Sequence, residues 1–319
     1  MERFLEEGKC DGFVLGRSIV ADPALPTKAR TGHAREIHQC LRCFVCNDAQ
    51  YQRRGKVLRC AINPTAGREF TMRTVPASPK RKIVVAGGGC GGMEAAITAA
   101  RRGHDVVLFE KSSELGGWLN MERHLPFKAD MYHYARTLEY ECSALPIDIR
   151  LNTPITRSLL EQEKPDTVIC AIGSTPVVPP IKGIDLPNVV GATEMYDNGF
   201  QLGKQVVVIG GGLVGCETAL HMGMTGHQVT VVEMRDDVAI DSTADHRRYL
   251  MPRLEAHASI ACGFKVTEIT PQGVHAVKED GTKAFFPADS VVIAAGLKAR
   301  SEEAETLRSA DYDFIMIGD

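Results

Sequence analysis

The strongest constraint on the fold is a pattern of strand, glycine turn, helix and strand that occurs twice. Residues 82–110 open with the apolar run KIVVA, pass through GGGCGG and a helix-like segment, and close with DVVLFE at Glu110. Residues 204–233 repeat this order, from KQVVVI through GGGLVG to VTVVE at Glu233. Short apolar runs on either side of a helical segment indicate two parallel strands joined by a helix. A chain that contains this unit twice is expected to fold into two α/β domains.

Each copy carries three glycines at the spacing Gly-x-Gly-x-x-Gly. These are Gly87, Gly89 and Gly92 in the first copy and Gly210, Gly212 and Gly215 in the second. In the Rossmann fold the first glycine permits a tight turn, the second lets the backbone approach a pyrophosphate, and the third lets helix and strand pack closely. The helix N terminus offers free N–H groups to the phosphates, and the acid that closes the second strand accepts hydrogen bonds from a ribose. Because both copies keep all three glycines and the acid, the sequence predicts two dinucleotide sites rather than a duplication with one inactive copy.

The composition narrows the class of protein. With 319 residues the chain is long enough for two or three domains, and 44% hydrophobic and 24% charged residues are typical of a globular protein. The formal net charge of -3 provides no basic surface for nucleic acid or for an anionic membrane. The N-terminal residues MERFLEEGKCDG lack the apolar region of a signal peptide. No run approaches the roughly 18 apolar residues of a membrane-spanning helix. These features predict a cytoplasmic protein whose thiols are reduced.

Three of the cysteines fall within the short stretch CLRCFVC, and a fourth follows downstream. The four are Cys40, Cys43, Cys46 and Cys60. In a reducing compartment this grouping favours a metal or cluster site over a disulfide. Three close thiolates can occupy one face of an iron–sulfur cubane, and a fourth can arrive after a loop. Zinc is the alternative, although zinc ribbons usually have two separated CxxC pairs.

The N-terminal residues carry a further signal. The segment GFVLGRSIVADP predicts a short strand at residues 12–15, followed by Gly16, Arg17 and a helix. A backbone glycine beside an arginine after a strand suits a phosphate at the C-terminal face of a (β/α)8 barrel. An ordinary strand, turn and helix with a solvated arginine is the alternative interpretation.

Three shorter apolar runs complete the resemblance to a known family. KPDTVICAIG at 164–173 and PADSVVIAAG at 287–296 each place a strand before small residues and a glycine, and YDFIMIGD closes the chain. This order resembles the flavin-dependent pyridine-nucleotide oxidoreductases that have two Rossmann units. The resemblance implies FAD at the first fingerprint, NAD(P)H at the second, and Asp319 at the FAD ribityl chain. Residues 111–131 contain no cysteine, which disfavours the disulfide reductases of that family.

The complete order of segments resembles the old-yellow-enzyme-like NADH:flavin oxidoreductases. That group contains the 2,4-dienoyl-CoA reductases, the clostridial enoate reductases and trimethylamine dehydrogenase. The resemblance implies that Gly16 and Arg17 hold the phosphate of FMN. It also implies that the four cysteines named above bind a [4Fe–4S] cluster, which passes electrons between the two flavins.

The predicted architecture is α/β, with one Rossmann-like domain inserted in another. Residues 1–38 correspond to the last strand and helix of a truncated TIM barrel, and residues 39–76 form the iron–sulfur cluster segment. The FAD-binding domain comprises residues 77–190 and 300–319, and it encloses the NAD(H)-binding domain at residues 191–299. We therefore expect Met1 not to be the biological start.

The resemblance implies a function as well as a fold. In such an enzyme NADH reduces FAD, the cluster carries electrons to FMN, and FMN reduces an activated C=C bond of a small-molecule substrate. The alternatives are an amine dehydrogenase of the trimethylamine dehydrogenase type, in which ADP replaces FAD, and an electron-transfer subunit similar to the glutamate synthase small subunit. No catalytic residue is assigned, because the substrate contacts would lie on barrel loops, and homo-oligomerisation is left open. NADH is favoured over NADPH because the Glu233 carboxylate would repel a 2′-phosphate, although Arg235 partly offsets that charge.

Overall fold

The computed structural model describes residues 2–48, 57–196 and 199–318. In these ranges the helices are α1 (Glu2–Glu6), α2 (Arg17–Ala21), α3 (Leu25–Arg30), α4 (Val45–Asn47), α5 (Cys90–Arg101), α6 (Ala129–Ala144), α7 (Arg157–Glu163), α8 (Leu213–Met224), α9 (Ala244–His257) and α10 (Ser301–Thr306). The strands are β1 (Lys82–Ala86), β2 (Asp105–Phe109), β3 (Ile147–Arg150), β4 (Thr167–Cys170), β5 (Ser174–Pro176), β6 (Val189–Gly191), β7 (Gln205–Ile209), β8 (Gln228–Val232), β9 (Ala258–Ala261), β10 (Lys265–Thr270), β11 (Gly273–Val277), β12 (Lys283–Pro287), β13 (Ser290–Ile293), β14 (Leu297–Ala299) and β15 (Asp313–Met316). Within these ranges, no helix has both the length and the apolar character that a membrane crossing requires.

The first domain is built on a parallel five-stranded sheet in the order β15-β4-β1-β2-β3. Strand β1 lies at its centre, and its side chains are buried on both faces. Ile83 and Val85 pack into the hydrophobic cluster that contains α5 residues, whereas Val84 packs into the cluster on the opposite face. This two-sided burial explains why KIVVA is a continuous apolar run rather than an alternating one.

The second domain repeats the arrangement with the order β6-β13-β7-β8-β9, again parallel. Val206 and Val208 of β7 pack into the cluster that contains α8 residues, and Val207 packs on the other face against the antiparallel strands β10, β11 and β12. Strand β6 runs from Val189 to Gly191, so the predicted boundary at residue 191 falls within a strand of this sheet.

The chain leaves the first sheet after β4 and returns to it at β15, after the second sheet is complete. Strands β5 and β14 pair antiparallel where the chain leaves and re-enters. One Rossmann-like domain is therefore inserted in the other, which confirms the predicted α/β fold class.

The N-terminal segment corrects one prediction. Residues 12–15 form no strand, and the Val14 side chain is fully exposed. An isolated extended segment is not stable because its backbone groups need a neighbouring strand to accept their hydrogen bonds. The helical part of the prediction is present as α2 and α3, and Ala21 at the end of α2 is buried in the core of the first domain.

Candidate functional site

The turn after β1 is tight because two of its glycines leave no space for a side chain. Gly87 has a φ of +106°, and a Cβ built on it would lie 2.3 Å from the carbonyl oxygen of Ala171. A Cβ on Gly92 would lie 1.8 Å from the carbonyl oxygen of Gly87. Gly92 belongs to the first turn of α5, so the helix packs directly against the end of the strand. Packing within the protein itself therefore requires these two glycines.

Gly89 differs from both of them. It is the N-cap residue of α5 and has an extended backbone, and a Cβ at this position would meet no protein atom within 4 Å. Packing within the protein therefore does not require a glycine here. The open space lies at the N terminus of a 12-residue helix, where free N–H groups and the helix dipole favour a phosphate. The missing side chain lets such a phosphate approach the backbone.

Glu110 lies beneath this turn and is only 6% exposed. Its Oε2 accepts a hydrogen bond from the Gly88 N–H at 2.6 Å, and its Oε1 accepts one from the Ser112 N–H at 2.8 Å. The Ser112 hydroxyl also donates to Oε1. The carboxylate therefore ties the glycine turn to the end of β2. Because an ionised carboxylate has about four lone-pair sites, it can still accept a hydrogen bond from a ribose hydroxyl.

The second fingerprint reproduces the first in detail. Gly210 has a φ of +108°, and its Cβ would lie 2.4 Å from the carbonyl oxygen of Ala294. A Cβ on Gly215 would lie 2.0 Å from the carbonyl oxygen of Gly210. At Gly212, the N-cap residue of α8, a Cβ would again meet no protein atom within 4 Å. The two domains thus present the same kind of open space at the same point of the fingerprint.

Glu233 takes the place of Glu110 in the second domain and is 4% exposed. Its Oε2 accepts a hydrogen bond from the Gly211 N–H at 2.5 Å, and its Oε1 accepts one from the Arg235 N–H at 2.8 Å. The Arg235 guanidinium also reaches Glu233 Oε1 at 3.3 Å and Asp241 Oδ2 at 3.2 Å. Two carboxylates therefore hold this arginine.

Two alanines that belong to neither fingerprint pack against the glycine turns. The Ala171 side chain lies 3.5 Å from the Cβ position of Gly92, and that of Ala294 lies 3.2 Å from the Cβ position of Gly215. Larger side chains would separate strand from helix at these contacts. The signal in the sequence is the alanine that directly follows each of the strands β4 and β13.

The four cysteines predicted as ligands line a single pocket. All ten cysteines of the chain lie in the described residues and are free thiols, so none of the four is committed to a disulfide. Burial raises the pKa of the Cys43 thiol, and the neighbouring Cys60 and Cys40 add to this shift. Among the described residues, no group of three or more His, Cys, Asp or Glu side chains is arranged to hold a metal ion.

The cysteine pocket is attached to the first domain. Cys40 and Cys60 pack against the hydrophobic cluster that contains Met93 and Ile97 of α5. Ile62, which lines the pocket, belongs to the same cluster. The cysteines and the helix that begins at the first fingerprint therefore share one core.

The N-terminal Gly16 and Arg17 lie next to the cysteines. Gly16 is the N-cap residue of α2, and Arg17 lines the cysteine pocket. The Arg17 guanidinium lies 5.0 Å from the centroid of the Phe44 ring, which in turn stacks on Tyr249 of α9 at 5.7 Å. Binding of the FMN phosphate by Gly16 and Arg17 stays a prediction.

The C-terminal residues return to the first fingerprint. Strand β15 pairs with β4, and the Ile317 side chain that follows lies 3.8 Å from the Cβ position of Gly91. Asp319, predicted to meet the FAD ribityl chain, lies outside the described residues, so its role also stays a prediction.

Comparison with known proteins identifies the family. Residues 81–311 match the family model of the pyridine nucleotide-disulphide oxidoreductases. The chain is 40% identical to an NADH oxidase of Thermoanaerobacter brockii and 38% identical to a bilirubin reductase of Mediterraneibacter gnavus, and it covers 50% of each of them. It superimposes on 2-naphthoyl-CoA reductase in complex with 2-naphthoyl-CoA, with a TM-score of 0.92, 30% identity and 49% of that chain covered.

All of this chain is matched in these three comparisons, and it spans about half the length of the curated relatives. The chain belongs to the pyridine nucleotide-disulphide oxidoreductase family and, as the order of its segments predicts, to the old-yellow-enzyme-like group of NADH:flavin oxidoreductases.

Proposed function

We propose that the chain is the FAD-binding, NADH-binding and cluster-carrying part of an oxidoreductase that reduces an activated C=C bond. The observation that carries this proposal is the position of the cysteine pocket. Its Cys40 and Cys60 pack on the same core as α5, the helix that begins at the first phosphate-binding turn. A redox centre at these cysteines would therefore lie on the domain that is expected to bind the flavin.

The geometry of each glycine turn is evidence for one dinucleotide-binding site. Gly89 and Gly212 leave space that no protein atom fills, each at the N terminus of a 12-residue helix. Glu110 and Glu233 lie buried below the turns, at the ends of β2 and β8. These residues would hold the pyrophosphate and the adenosine ribose of FAD in the first domain and of NADH in the second.

The donor set of the pocket supports an iron–sulfur cluster. Four free cysteine thiols and no histidine line it, and four cysteines are the usual ligands of a [4Fe–4S] cubane. A single tetrahedral zinc ion would need the four sulfur atoms about 3.8 Å apart, since Zn–S bonds are about 2.3 Å long. Each iron of a cubane takes one thiolate, so the sulfur atoms can lie further apart.

When bound, these groups would supply a relay in which NADH gives a hydride to FAD, two electrons pass singly through the cluster to FMN, and a C=C bond takes up a hydride and a proton. The residues of this chain would act by binding and orientation. The glycine turns would hold phosphates and Glu110 and Glu233 would orient riboses. The apolar core around Met93 and Ile97, against which Cys40 and Cys60 pack, would limit the access of water from the side of α5.

The substrate class is inferred from the relatives. Bilirubin and 2-naphthoyl-CoA, named in two of them, both contain C=C bonds conjugated to other unsaturated groups. We therefore propose a conjugated, unsaturated small molecule as the substrate of the complete enzyme, with FMN as the group that meets it.

Analysis of the bound nucleotides tests this proposal against the amine dehydrogenase alternative. We expect the chain, reconstituted with FAD and iron under anaerobic conditions, to retain one FAD, and NADH to bleach the flavin absorbance. The first domain would instead retain ADP and give no flavin reduction in an enzyme of the trimethylamine dehydrogenase type. Stoichiometric ADP binding in the presence of excess FAD would therefore contradict the proposal.

A second prediction concerns the choice between NADH and NADPH. Glu233 already has a buried carboxylate at the expected ribose position, and Arg235 is held by Glu233 and Asp241 rather than presented to a 2′-phosphate. We expect NADH to reduce the bound flavin with a kcat/KM at least about tenfold higher than NADPH, which corresponds to about 1.4 kcal/mol. The comparison is made with an artificial electron acceptor in steady state.

The variant Glu233→Gln keeps an oxygen that can accept a hydrogen bond from the Gly211 N–H but removes the negative charge. It should lower the ratio of kcat/KM for NADH to kcat/KM for NADPH, mainly by raising the value for NADPH. Glu255→Gln removes an exposed charge of α9 and should leave the preference unchanged. A wild-type preference for NADPH would show that Arg235 dominates the site.

A further inference from the structure

The short segment that follows Cys43 contacts the second domain. The Phe44 ring stacks on the Tyr249 ring of α9, with the ring centroids 5.7 Å apart and an interplanar angle of 17°. Asn47, the last residue of α4, donates a side-chain hydrogen bond to the carboxylate of Asp245 in the first turn of α9. The cysteine segment therefore reaches one helix of the second domain through two side chains.

The backbone of Phe44 is left-handed, with a φ of +60° and a ψ of +10°. Glycine and asparagine adopt this conformation readily, whereas a residue with a bulky side chain rarely does. A residue keeps such a conformation only where its surroundings hold it there. The half-buried Phe44 ring contacts the Tyr249 ring and the Arg17 guanidinium, which lies 5.0 Å from its centroid. We therefore attribute the position of Phe44 to the contacts of its side chain rather than to a preference of its backbone.

Phe44 also lies between two of the predicted cluster ligands. Cys43 directly precedes it and Cys46 follows two positions later, and all three residues line the cysteine pocket. A cluster bound at these thiolates would fix the backbone on both sides of Phe44, because a bound metal centre orders the segment that carries its ligands. The Phe44 ring would then lose less conformational freedom when it meets Tyr249. Filling the cysteine pocket is therefore expected to strengthen the contact with α9.

Helix α9 connects this contact to the second glycine turn. Leu250 and Leu254 of α9 are buried in one hydrophobic cluster with Ala219 and Leu220 of α8. Helix α8 begins directly after Gly212, where the open space for a phosphate lies. Because a close-packed core transmits small displacements, a restraint on α9 also restrains α8 and the turn before it.

We propose that Phe44 is a positioning residue that couples the cysteine pocket to the NADH-binding domain, so that filling the pocket restrains α9 and strengthens dinucleotide binding at the second glycine turn. This inference rests on the proposed function for the identity of the two ligands, the cluster and NADH. The contact of the cysteine segment with α9 is a property of the chain alone.

Hydrogen–deuterium exchange of the α9 amides measures this restraint, because amide exchange reports local opening. The experiment uses the full chain with FAD bound, once with an empty cysteine pocket and once after anaerobic reconstitution with iron and sulfide. We expect α9 of the wild type to exchange about two- to tenfold more slowly when the pocket is filled, which is the range that one aromatic contact supplies. The amides of α7, which packs on the opposite face of the first sheet, should not change.

Three variants show whether the ring carries the effect. Phe44→Gly removes the ring and keeps the left-handed turn, which glycine adopts without strain. It should still take up about four irons, but its α9 amides should exchange at one rate with a filled or an empty pocket, and faster than in the wild type. Phe44→Tyr keeps the ring and should behave like the wild type. Phe285→Ala removes an aromatic contact with His275 on the neighbouring strand and should keep the wild-type difference.

Calorimetric titration with NAD⁺ measures the effect on the second glycine turn. NAD⁺ is the probe because it does not reduce the bound flavin. A helix that is already restrained loses less freedom when a ligand binds, so we expect the wild type to bind NAD⁺ about two- to tenfold more tightly with a filled pocket. Phe44→Gly should bind NAD⁺ equally in both states.

The outcomes separate this inference from the proposed function. If the wild type takes up no iron, the cluster of the proposed function is wrong. In the empty chain, faster α9 exchange in Phe44→Gly would then still support the contact, whereas equal exchange would overturn the inference as well. If iron binds, an α9 exchange or an NAD⁺ affinity that does not depend on the filled pocket overturns the inference alone. Retention of the wild-type difference in Phe44→Gly, or loss of its iron, would also contradict the inference.

Discussion

Replacing Gly89 by alanine is expected to lower the affinity for FAD by about a hundredfold or more while leaving the stability of the chain unchanged. In the protein a Cβ at Gly89 meets no atom within 4 Å, and the extended backbone there is open to any residue. With FAD bound, the same Cβ would occupy the space needed by the pyrophosphate. A hundredfold loss corresponds to about 2.7 kcal/mol, within the range that overpacking of a close contact costs.

Two matched variants make this prediction specific. Gly92→Ala would place a Cβ 1.8 Å from the carbonyl oxygen of Gly87, so we expect it to lower the free energy of unfolding by about 3 kcal/mol or more. Gly91→Ala places its Cβ at an ordinary 3.8 Å from Ile317 and should change neither property. FAD titration by fluorescence and thermal unfolding without FAD measure the two effects separately. If Gly89→Ala bound FAD as tightly as the wild type, the first glycine turn would not hold its pyrophosphate.

Replacing Cys43 by alanine is expected to abolish the iron–sulfur centre. The wild-type chain, reconstituted anaerobically, should contain about four irons and show the broad visible absorption of a [4Fe–4S] cluster. The variant should lose most of this iron because a cubane with three ligands is open to solvent and oxidation. Alanine is used rather than serine because a serine hydroxyl can itself act as a ligand.

Cys10→Ala is the matched control for this loss. Cys10 is a free, partly exposed thiol that does not line the pocket, so its replacement should leave the iron content unchanged. One tightly bound zinc per chain and no iron after anaerobic reconstitution would contradict the cluster. Equal iron contents in Cys43→Ala and in the wild type would show that iron binds elsewhere.

Strands β1 and β7 and the glycine turns that follow them could be predicted because the residues that determine each of them are close together in the sequence. A buried strand, a turn with a φ near +106° and a helix that touches the strand restrict residues such as Gly87 and Gly92 to glycine, and the restriction is visible in the sequence. Strand β15, which lies at the edge of the first sheet, could be predicted because its residues begin the short apolar run FIMI. The insertion of one domain in the other was implied by the resemblance of this order of runs to the two-Rossmann flavin oxidoreductases.

Other features depend on contacts between distant segments and left no local signal. The predicted strand at residues 12–15 is absent because a strand is stable only beside another strand, which the local apolar run does not reveal. The Lys128–Glu217 pair joins residues 89 positions apart on different domains. Neither residue belongs to a motif, since a lysine before a helix and a glutamate within one are usually solvated. The contact of Arg17 with Phe44 likewise depends on how the cysteine segment folds back on α2.

We propose that the cysteine pocket holds a cluster that receives electrons from NADH through FAD. The most direct measurement is Mössbauer spectroscopy of the chain reconstituted with 57Fe and FAD, frozen after anaerobic addition of NADH. The account predicts the quadrupole doublet of an oxidised [4Fe–4S] cluster before NADH, and conversion to the reduced cluster after NADH only in samples that contain FAD. A cluster that dithionite reduces but NADH does not, in a sample whose FAD has been bleached by NADH, would contradict the account.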